Sequence, residues 1–222
     1  MKNILRMFCL LICVAMILPL VGCAEESPYP EGYEKYKAVV GDLIPDALKK
    51  LKLKESDLRE PIPNIYMYQV PGTYSFCGYE FDLYLEEHRG YDRISGFVYW
   101  AYVDDISGVV ALREKLIELY GEPVDYQFTE EGLQTLIQEK QGAVGNSWSM
   151  YRFTEEHHPE YAKCLDEYVE RYNKKYGLPI AMAWNLTFSV RYDDTCDQYK
   201  IEMQFGVGRD LTPSWQAGED RS

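Results

Sequence analysis

The chain has 222 residues, 46% of them hydrophobic, so it can bury one sizeable core and is not disordered as a whole. Acidic residues outnumber basic ones by 36 to 23, which gives a formal net charge of −13 at pH 7. A surface of this sign repels the phosphates of nucleic acids and of anionic lipid headgroups, and this excludes nucleic acid as a partner.

The first residues have the pattern of an export signal. Lys2 and Arg6 precede an uncharged apolar run over residues 7–21. A basic start, a short apolar run and small residues at its end are typical of a secretory signal peptide. A helix that spans a bilayer needs about 20 apolar residues, so this run is too short to be one.

The apolar run ends in the tetrapeptide Leu-Val-Gly-Cys at residues 20–23. This motif resembles the lipobox of bacterial lipoproteins, in which an aliphatic residue and two small-to-medium residues precede a cysteine. The resemblance implies that a diacylglyceryl group is attached to the thiol of Cys23 and that the chain is cleaved after Gly22. An ordinary signal peptide with an incidental cysteine is the alternative.

Lipidation would fix the location of the mature protein. Each buried CH₂ of an acyl chain contributes ~0.8 kcal/mol to membrane binding, so two or three chains on Cys23 would hold the protein on the bilayer. The lipoprotein resemblance places it on the extracytoplasmic side of the cell membrane. In a Gram-negative cell, Ala24 in place of aspartate would direct it to the outer membrane.

The next segments are a tether and two helices. Residues 24–32 are polar and contain two prolines, which predicts a flexible tether. Apolar residues then recur at three- and four-residue steps from residue 33 to residue 51. Gly41 and Pro45 interrupt this stripe, so two short helices are predicted, with Asp42 as the candidate cap of the second.

Three strands are predicted in the following part of the chain. Residues 65–70 are rich in β-formers, and residues 79–86 alternate between apolar and polar side chains. Residues 94–103, with the sequence ISGFVYWAYV, are apolar at both parities. This pattern indicates a central strand that is covered on both faces, at least in part.

Helices and strands alternate in the second half. An apolar stripe predicts a helix from Val109 that stops at YGEP, residues 120–123. A shorter helix is predicted over residues 130–141, a strand over 147–153 and a long helix over residues 159–176. The clearest alternation then predicts two strands, over residues 180–192 and 199–207, joined by a hairpin turn.

These elements predict an α+β fold, with an antiparallel sheet of about six strands and helices packed on one face. The predicted organisation is a signal peptide at residues 1–22, lipidated Cys23 with the tether to residue 32, a single domain at 33–209 and a disordered tail at 210–222.

Three cysteines remain after the signal and Cys23, namely Cys77, Cys164 and Cys196. Their spacing fits no zinc or redox motif, and one disulfide or none is possible. The preferred interpretation makes Cys77 and Cys164 buried side chains that act as small apolar residues.

Sequence motifs for catalysis or cofactor binding are absent, and the chain has three histidines. Asp193, Asp194 and Asp197 crowd one predicted turn and are weak candidates for Ca²⁺, which prefers six to eight oxygen ligands. Aspartate is also a favoured turn residue, and that is the preferred interpretation. The sequence therefore predicts no catalytic residue, no metal and no cofactor.

A recognition surface is predicted from the central strand. Tyr99 and Trp100 are neighbours on it, so one of them faces away from the helices, where Arg191 and Gln204 would lie beside it. The favoured function is therefore a membrane-anchored, non-catalytic binding or scaffolding module with an unidentified protein or small-molecule partner.

Two alternatives stay open. An extracytoplasmic metal-assisted hydrolase would require Glu156, His157 or the turn at residues 193–197 to converge with His88 in one pocket. A protein that captures a small ligand or a carbohydrate would require a cavity between sheet and helices or an exposed aromatic face.

Overall fold

The computed structural model describes residues 27–59, 66–88, 90–125, 127–177 and 180–211. The predicted signal peptide, Cys23 and most of the predicted tail lie outside the described residues. In the described ranges, no helix is both long enough and apolar enough to cross a bilayer.

The described residues form a six-stranded antiparallel sheet and five α-helices, which confirms the predicted fold class. The strands are β1 (Met67–Phe76), β2 (Tyr79–His88), β3 (Arg93–Val103), β4 (Ala143–Arg152), β5 (Met182–Asp193) and β6 (Gln198–Arg209). The helices are α1 (Tyr33–Lys37), α2 (Ile44–Leu51), α3 (Val109–Tyr120), α4 (Glu130–Glu139) and α5 (Pro159–Tyr176). The strand order across the sheet is β1-β2-β3-β6-β5-β4.

One face of the sheet packs against α1 to α4 and holds the core; it is called the covered face. Tyr33 of α1 lies 5.8 Å from Phe97 and 5.0 Å from Phe205, measured between ring centroids. Trp148 of β4 donates a hydrogen bond from Nε1 to the carbonyl of Gly121 at the end of α3, at 2.7 Å. Full burial of one large apolar side chain contributes about 1.5–3 kcal/mol, so this face carries most of the stability.

Helix α5 occupies a different place, across the end of the sheet where β2 ends and β5 begins. Tyr161 of α5 is fully buried, and its hydroxyl lies 3.0 Å from Nδ1 of His88 at the end of β2. Further along α5, the ring of Tyr168 also contacts His88, and Arg209 of β6 lies over the ring of Tyr172.

Strand β1 is longer than the predicted strand at residues 65–70. The pairing with β2 shifts register between Val70 and Tyr74, around Pro71 and Gly72. Proline is tolerated there because β1 is an edge strand, whose outward N–H groups need no partner strand. These two residues look like a strand end in the sequence, but the strand continues through them to Phe76.

The prediction of a flexible tether up to residue 32 is wrong for residues 29–32. The ring of Tyr29 stacks on Tyr33 at 5.1 Å, and Pro30 is buried. The backbone N–H of Glu31 donates to the carbonyl of Ser75, and its carboxylate accepts from the N–H and the hydroxyl of Ser75. The composition of this segment is polar, but Tyr29 and Pro30 pack against the apolar surface of the domain.

The end of the domain is also later than predicted. The N–H of Asp210 donates to the carbonyl of Ala181, and the N–H of Leu211 donates to the hydroxyl of Ser149, both at 2.8 Å. These two residues follow the end of β6 and are hydrogen-bonded to the domain, so they do not belong to a disordered tail. Residues 212–222 lie outside the described residues.

The interpretation of Cys77 as a buried apolar residue is wrong. Cys77 is exposed and has a φ of 48°, and Gly78 after it has a φ of 80°. Two consecutive positive φ values are typical of the tight turn that joins two antiparallel strands, here β1 and β2. Cys164 is half-buried, Cys196 is exposed, and all three thiols are unpaired.

Candidate functional site

Strand β3 turns Tyr99 and Trp100 to opposite faces of the sheet. Tyr99 is fully buried on the covered face, where its hydroxyl donates to the carbonyl of Glu31 at 2.9 Å. The prediction of Tyr99 as a possible ligand-binding residue is therefore wrong, because it has no exposed surface. Trp100 is the member of the pair that faces away from α1 to α4 and stays partly exposed.

The face that carries Trp100 is called the polar face. Its side chains come from β2, β3, β5 and β6 and are Asp82, Tyr84, Glu86, Val98, Trp100, Tyr102, Asn185, Thr187, Ser189, Arg191, Lys200, Glu202 and Gln204. The register brings the predicted residues Trp100, Arg191 and Gln204 onto this one surface. Whether they bind a ligand stays a prediction.

A cluster of contacting side chains, called the Trp100 cluster, surrounds Trp100. The Nζ of Lys200 lies 3.4 Å from the centroid of the Trp100 ring and 2.9 Å from Oε2 of Glu202. The ring of Tyr84, from the strand on the other side of β3, lies 4.2 Å from the Trp100 ring. Burial raises the pKa of Tyr84 to about 12. The indole is thus held between a cation and a second aromatic ring.

Lys200 is a charged residue with almost no exposure, at 4%. Burial lowers the pKa of its ammonium group, and the carboxylate of Glu202 opposes that shift. Its strand neighbours across the register are Tyr102, which is 43% exposed, and Arg191, which is also exposed. The cluster therefore presents an aromatic hydroxyl and a guanidinium group at its rim.

Glycines produce a groove at one end of the polar face. Gly96 of β3 pairs with Gly206 of β6, and Gly208 pairs with Ala183 of β5. A Cβ atom on Gly96 would lie only 2.3 Å from the carbonyl oxygen of Phe205, so the strands approach too closely for any side chain there. The missing side chains leave a depression beside α5, which is called the end groove.

The end groove has a volume of about 410 Å³, and polar and apolar groups contribute about equally to its lining. Its floor and walls include Glu86, Ser95, Asn185, Thr187, Gln204, His88, Tyr168 and Arg209. Gln204, which the sequence predicted, therefore belongs to this groove. Hydroxyl, amide and carboxyl groups share the lining with the apolar side chains of Met182, Val207 and Leu211, so the groove suits a ligand with both polar groups and an apolar surface.

Glu86 is the titratable group at the centre of the end groove. Gln204 donates a hydrogen bond from Nε2 to Oε2 of Glu86 at 2.8 Å. Burial raises the pKa of this carboxyl above its usual range, and the hydrogen bond from Gln204 opposes the shift. Burial also lowers the pKa of His88, so the imidazole at the groove wall favours its neutral form.

Alternation in residues 79–86 indicated that Glu86 lies on the polar face, but sequence reasoning did not select it as a site residue. Its burial depends on α5, which packs across the end of the sheet, and on Gln204 in β6. Neither contact has a local signal in the sequence. The paired glycines were the available signal, because glycine inside a strand often marks a close approach of backbones.

The aspartates of the β5–β6 turn act as turn residues. Asp193 accepts hydrogen bonds from the N–H and the hydroxyl of Thr195, and Asp197 accepts from Lys140 and from the hydroxyl of Tyr192. Across the residues that the structure describes, no group of three or more His, Cys, Asp or Glu side chains is arranged to hold a metal ion. Asp194 belongs to the same turn.

The histidines have separate local roles. Nδ1 of His157 accepts a hydrogen bond from the N–H of Thr154, and Nδ1 of His158 caps α5 by accepting from the N–H of Tyr161. His88 lines the end groove, and none of Glu156, His157 or residues 193–197 lines a groove together with it. The convergence that the hydrolase alternative requires is not formed.

Comparison with known proteins adds nothing to this geometry. No protein family, no curated protein and no solved structure matches this chain. The chemistry of the polar face and its end groove is therefore the guide to function.

Proposed function

We propose that this protein is a lipid-anchored, non-catalytic binding module on the extracytoplasmic side of a bacterial envelope, and that its polar face binds a protein partner. The observation that carries the proposal is the arrangement of Trp100, Tyr102 and Arg191 on the face opposite α1 to α4. Tryptophan, tyrosine and arginine are the residues most enriched at the energetic centres of protein interfaces.

The geometry of the cluster supports recognition. Trp100 is fixed by Tyr84 and Lys200, so it would lose little conformational freedom when a partner binds. Groups that are already ordered lower the entropic cost of association. The exposed hydroxyl of Tyr102 and the guanidinium group of Arg191 would then supply directional hydrogen bonds at the rim.

The lipobox supports the anchor. The described domain already packs at Tyr29, so residues 24–28 are the span between Cys23 and the first packed residue. Five residues reach at most about 17 Å at ~3.4 Å each. A chain acylated at Cys23 would therefore hold the domain close to the headgroups, where its acidic surface gives no electrostatic help to membrane binding.

The anchor is tested by Cys23→Ser with Cys77→Ser as the matched control, because Cys77 is an exposed thiol in a turn. We expect Cys23→Ser to move the protein out of the membrane fraction and Cys77→Ser to leave it there. Mass spectrometry of the membrane-extracted protein should show a diacylglyceryl group on an N-terminal Cys23. An unmodified chain in the membrane fraction would contradict the anchor.

The binding surface is tested by photo-crosslinking in cells. A crosslinking amino acid replaces Tyr102 on the polar face or Val110 on α3, since these positions are 43% and 41% exposed. We expect one discrete protein adduct from position 102, lost when Trp100→Ala is added, and none from position 110. Equal adducts from both positions, or none from position 102, would rule out the polar face as the interface.

The end groove favours a second candidate function, the capture of a small hydroxylated ligand. The hydroxyl of Thr187 lines the groove and has no hydrogen-bond partner in the part of the chain that the structure describes. A thermal-shift screen with neutral mono- and disaccharides tests this candidate. Stabilisation that disappears in Thr187→Val would support it, and no stabilisation by any sugar would remove it.

A further inference from the structure

A second groove lies along α5 and beside His88 and Tyr91, and no residue of the Trp100 cluster lines it. It has a volume of about 620 Å³ and is called the tyrosine groove. The residues that define it are Tyr91, Tyr168, Arg171, Tyr172, Lys175 and Tyr176. The tyrosine groove shares only His88 and Tyr168 with the end groove.

Three tyrosines form a ladder along one side of α5. Tyr168, Tyr172 and Tyr176 are four residues apart, so they lie above one another on the helix. Their ring centroids are 6.2 Å and 4.5 Å apart, and Tyr176 is 53% exposed. Aromatic rings of a helix usually point into a core, whereas these rings line an open groove.

Three cations accompany the ladder. The Nζ of Lys175 lies 4.9 Å from the centroid of the Tyr176 ring, and the guanidinium carbon of Arg209 lies 5.1 Å from that of Tyr172. Arg171 donates to the hydroxyl of Tyr91 and to the carbonyl of Glu167.

None of these three cations pairs with a carboxylate of the described chain. This is unexpected in a protein that carries 36 acidic residues. Glu167 also lines the groove, so the local charge from Glu167, Arg171 and Lys175 is positive within an acidic molecule. Of the two cations that line the groove, Lys175 rests on the ring of Tyr176, and Arg171 donates only to neutral oxygens. Both are therefore available to an anionic ligand.

We propose that the tyrosine groove binds an acidic saccharide, a sugar chain that carries carboxylate groups. The flat tyrosine faces would pack against the apolar faces of sugar rings, and Arg171 and Lys175 would pair with the carboxylates. This site goes beyond the proposed function, because it uses none of Trp100, Tyr102 and Arg191.

The test is calorimetric titration of the detergent-solubilised full chain with trigalacturonic acid, a carboxylated trisaccharide. Its fully methyl-esterified form is the matched control, since it has the same rings and no charge. We expect the acid to bind, the ester to bind at least about fivefold more weakly, and added salt to weaken the acid selectively.

Two pairs of variants locate the site. Lys175→Gln should weaken binding of the acid about fivefold, whereas Lys174→Gln should not, because Lys174 is an exposed neighbour that does not line the groove. Tyr172→Ala should weaken it about tenfold and Tyr172→Phe much less, because the ring face makes the contact. Circular dichroism confirms that each variant is folded.

Several results would overturn the site. They are no binding of the acid, equal binding of acid and ester, equal effects of the Lys174 and Lys175 substitutions, and tighter binding of glycerol phosphate, which would indicate a lipid headgroup. Trp100→Ala should leave the affinity unchanged, so failure of this site and failure of the polar-face proposal give different results.

Discussion

The covered face and the polar face belong to the same six strands but are held together by different forces. On the covered face, Phe97, Tyr99 and Phe205 contact one another with ring centroids 5.4 to 6.0 Å apart. On the polar face, Nζ of Lys200 lies 3.4 Å from the centroid of the Trp100 ring and 2.9 Å from the carboxylate of Glu202. Hydrophobic burial is non-directional, whereas charged contacts fix chemical groups in place. One face therefore carries stability and the other presents groups for recognition.

The largest effect is expected from a comparison of two adjacent residues of β5, one on each face. Phe188 is fully buried on the covered face, and Thr187 is its half-buried neighbour on the polar face. Phe188→Ala should lower the free energy of unfolding by about 3–5 kcal/mol, because it removes a large core side chain and leaves a cavity. Thr187→Val should change it by no more than about 0.5 kcal/mol. Urea denaturation measures both, and similar losses for the two variants would contradict the division between faces.

Alternation and capping were enough to predict the architecture. The helix predicted over residues 159–176 is confirmed as Pro159–Tyr176, and the strands predicted over 180–192 and 199–207 are confirmed as Met182–Asp193 and Gln198–Arg209. These segments are long and strongly periodic, so their local patterns and their tertiary contacts agree.

The site was predicted only in part, for physical reasons. The parity of Tyr99 and Trp100 showed that they oppose each other, but which of them is covered depends on where α1 and the segment around Glu31 pack. The end groove exists because α5 crosses the end of the sheet, a tertiary placement that helix periodicity does not encode. The predicted first strand ends at Val70 because a proline follows, and proline usually ends a strand. Here β1 continues through Pro71 because it is an edge strand with no partner on its outer side.

A buried polar group on the covered face sharpens the comparison. Asn146 is 1% exposed; its Oδ1 accepts from Nε of Arg113 at 2.6 Å, and its Nδ2 donates to the carbonyl of Asp125 at 3.0 Å. Asn146→Ala should cost about 2–3 kcal/mol, because a charged donor and a carbonyl both lose a partner. Ser147→Ala on the next residue is the control and should cost much less. A loss of equal size in the control would show that the strand, and not the hydrogen bonds, was perturbed.

Two ion pairs with nearly equal N···O distances differ in burial, so a comparison of them shows the effect of burial on stability. Lys200 and Glu202 are 2.9 Å apart with Lys200 nearly fully covered, and Lys115 and Glu118 are 2.8 Å apart on the exposed side of α3. Glu202→Gln should cost about 1–2 kcal/mol, reduced from the loss typical of a buried pair because Glu202 is partly exposed. Glu118→Gln should cost no more than about 0.5 kcal/mol. If the two losses are equal, then Lys200 is solvated in solution and the Trp100 cluster is not formed.

The smallest expected effect comes from Glu86. Its sign is opposite to that of the other substitutions, because replacing Glu86 should raise the free energy of unfolding at pH 7. Because burial raises its pKa above the ordinary value of 4.5, ionised Glu86 destabilises the folded state. As the pH falls to 4 and below, the carboxyl becomes largely neutral in both states, so Glu86→Gln should approach the stability of the natural chain. As the pH rises to 7, the natural chain loses stability relative to Glu86→Gln, which keeps an oxygen that can accept from Gln204.

Thermal unfolding of both chains at pH 4 and pH 7 measures this difference, with Glu80→Gln on the exposed end of β2 as the control. Because Glu80 is exposed, the control should leave the unfolding temperature nearly unchanged. A lower unfolding temperature for Glu86→Gln at pH 7 would mean that a cation or a donor stabilises the ionised carboxylate. The end groove would then contain a charged Glu86 and would favour a cationic ligand over a neutral one.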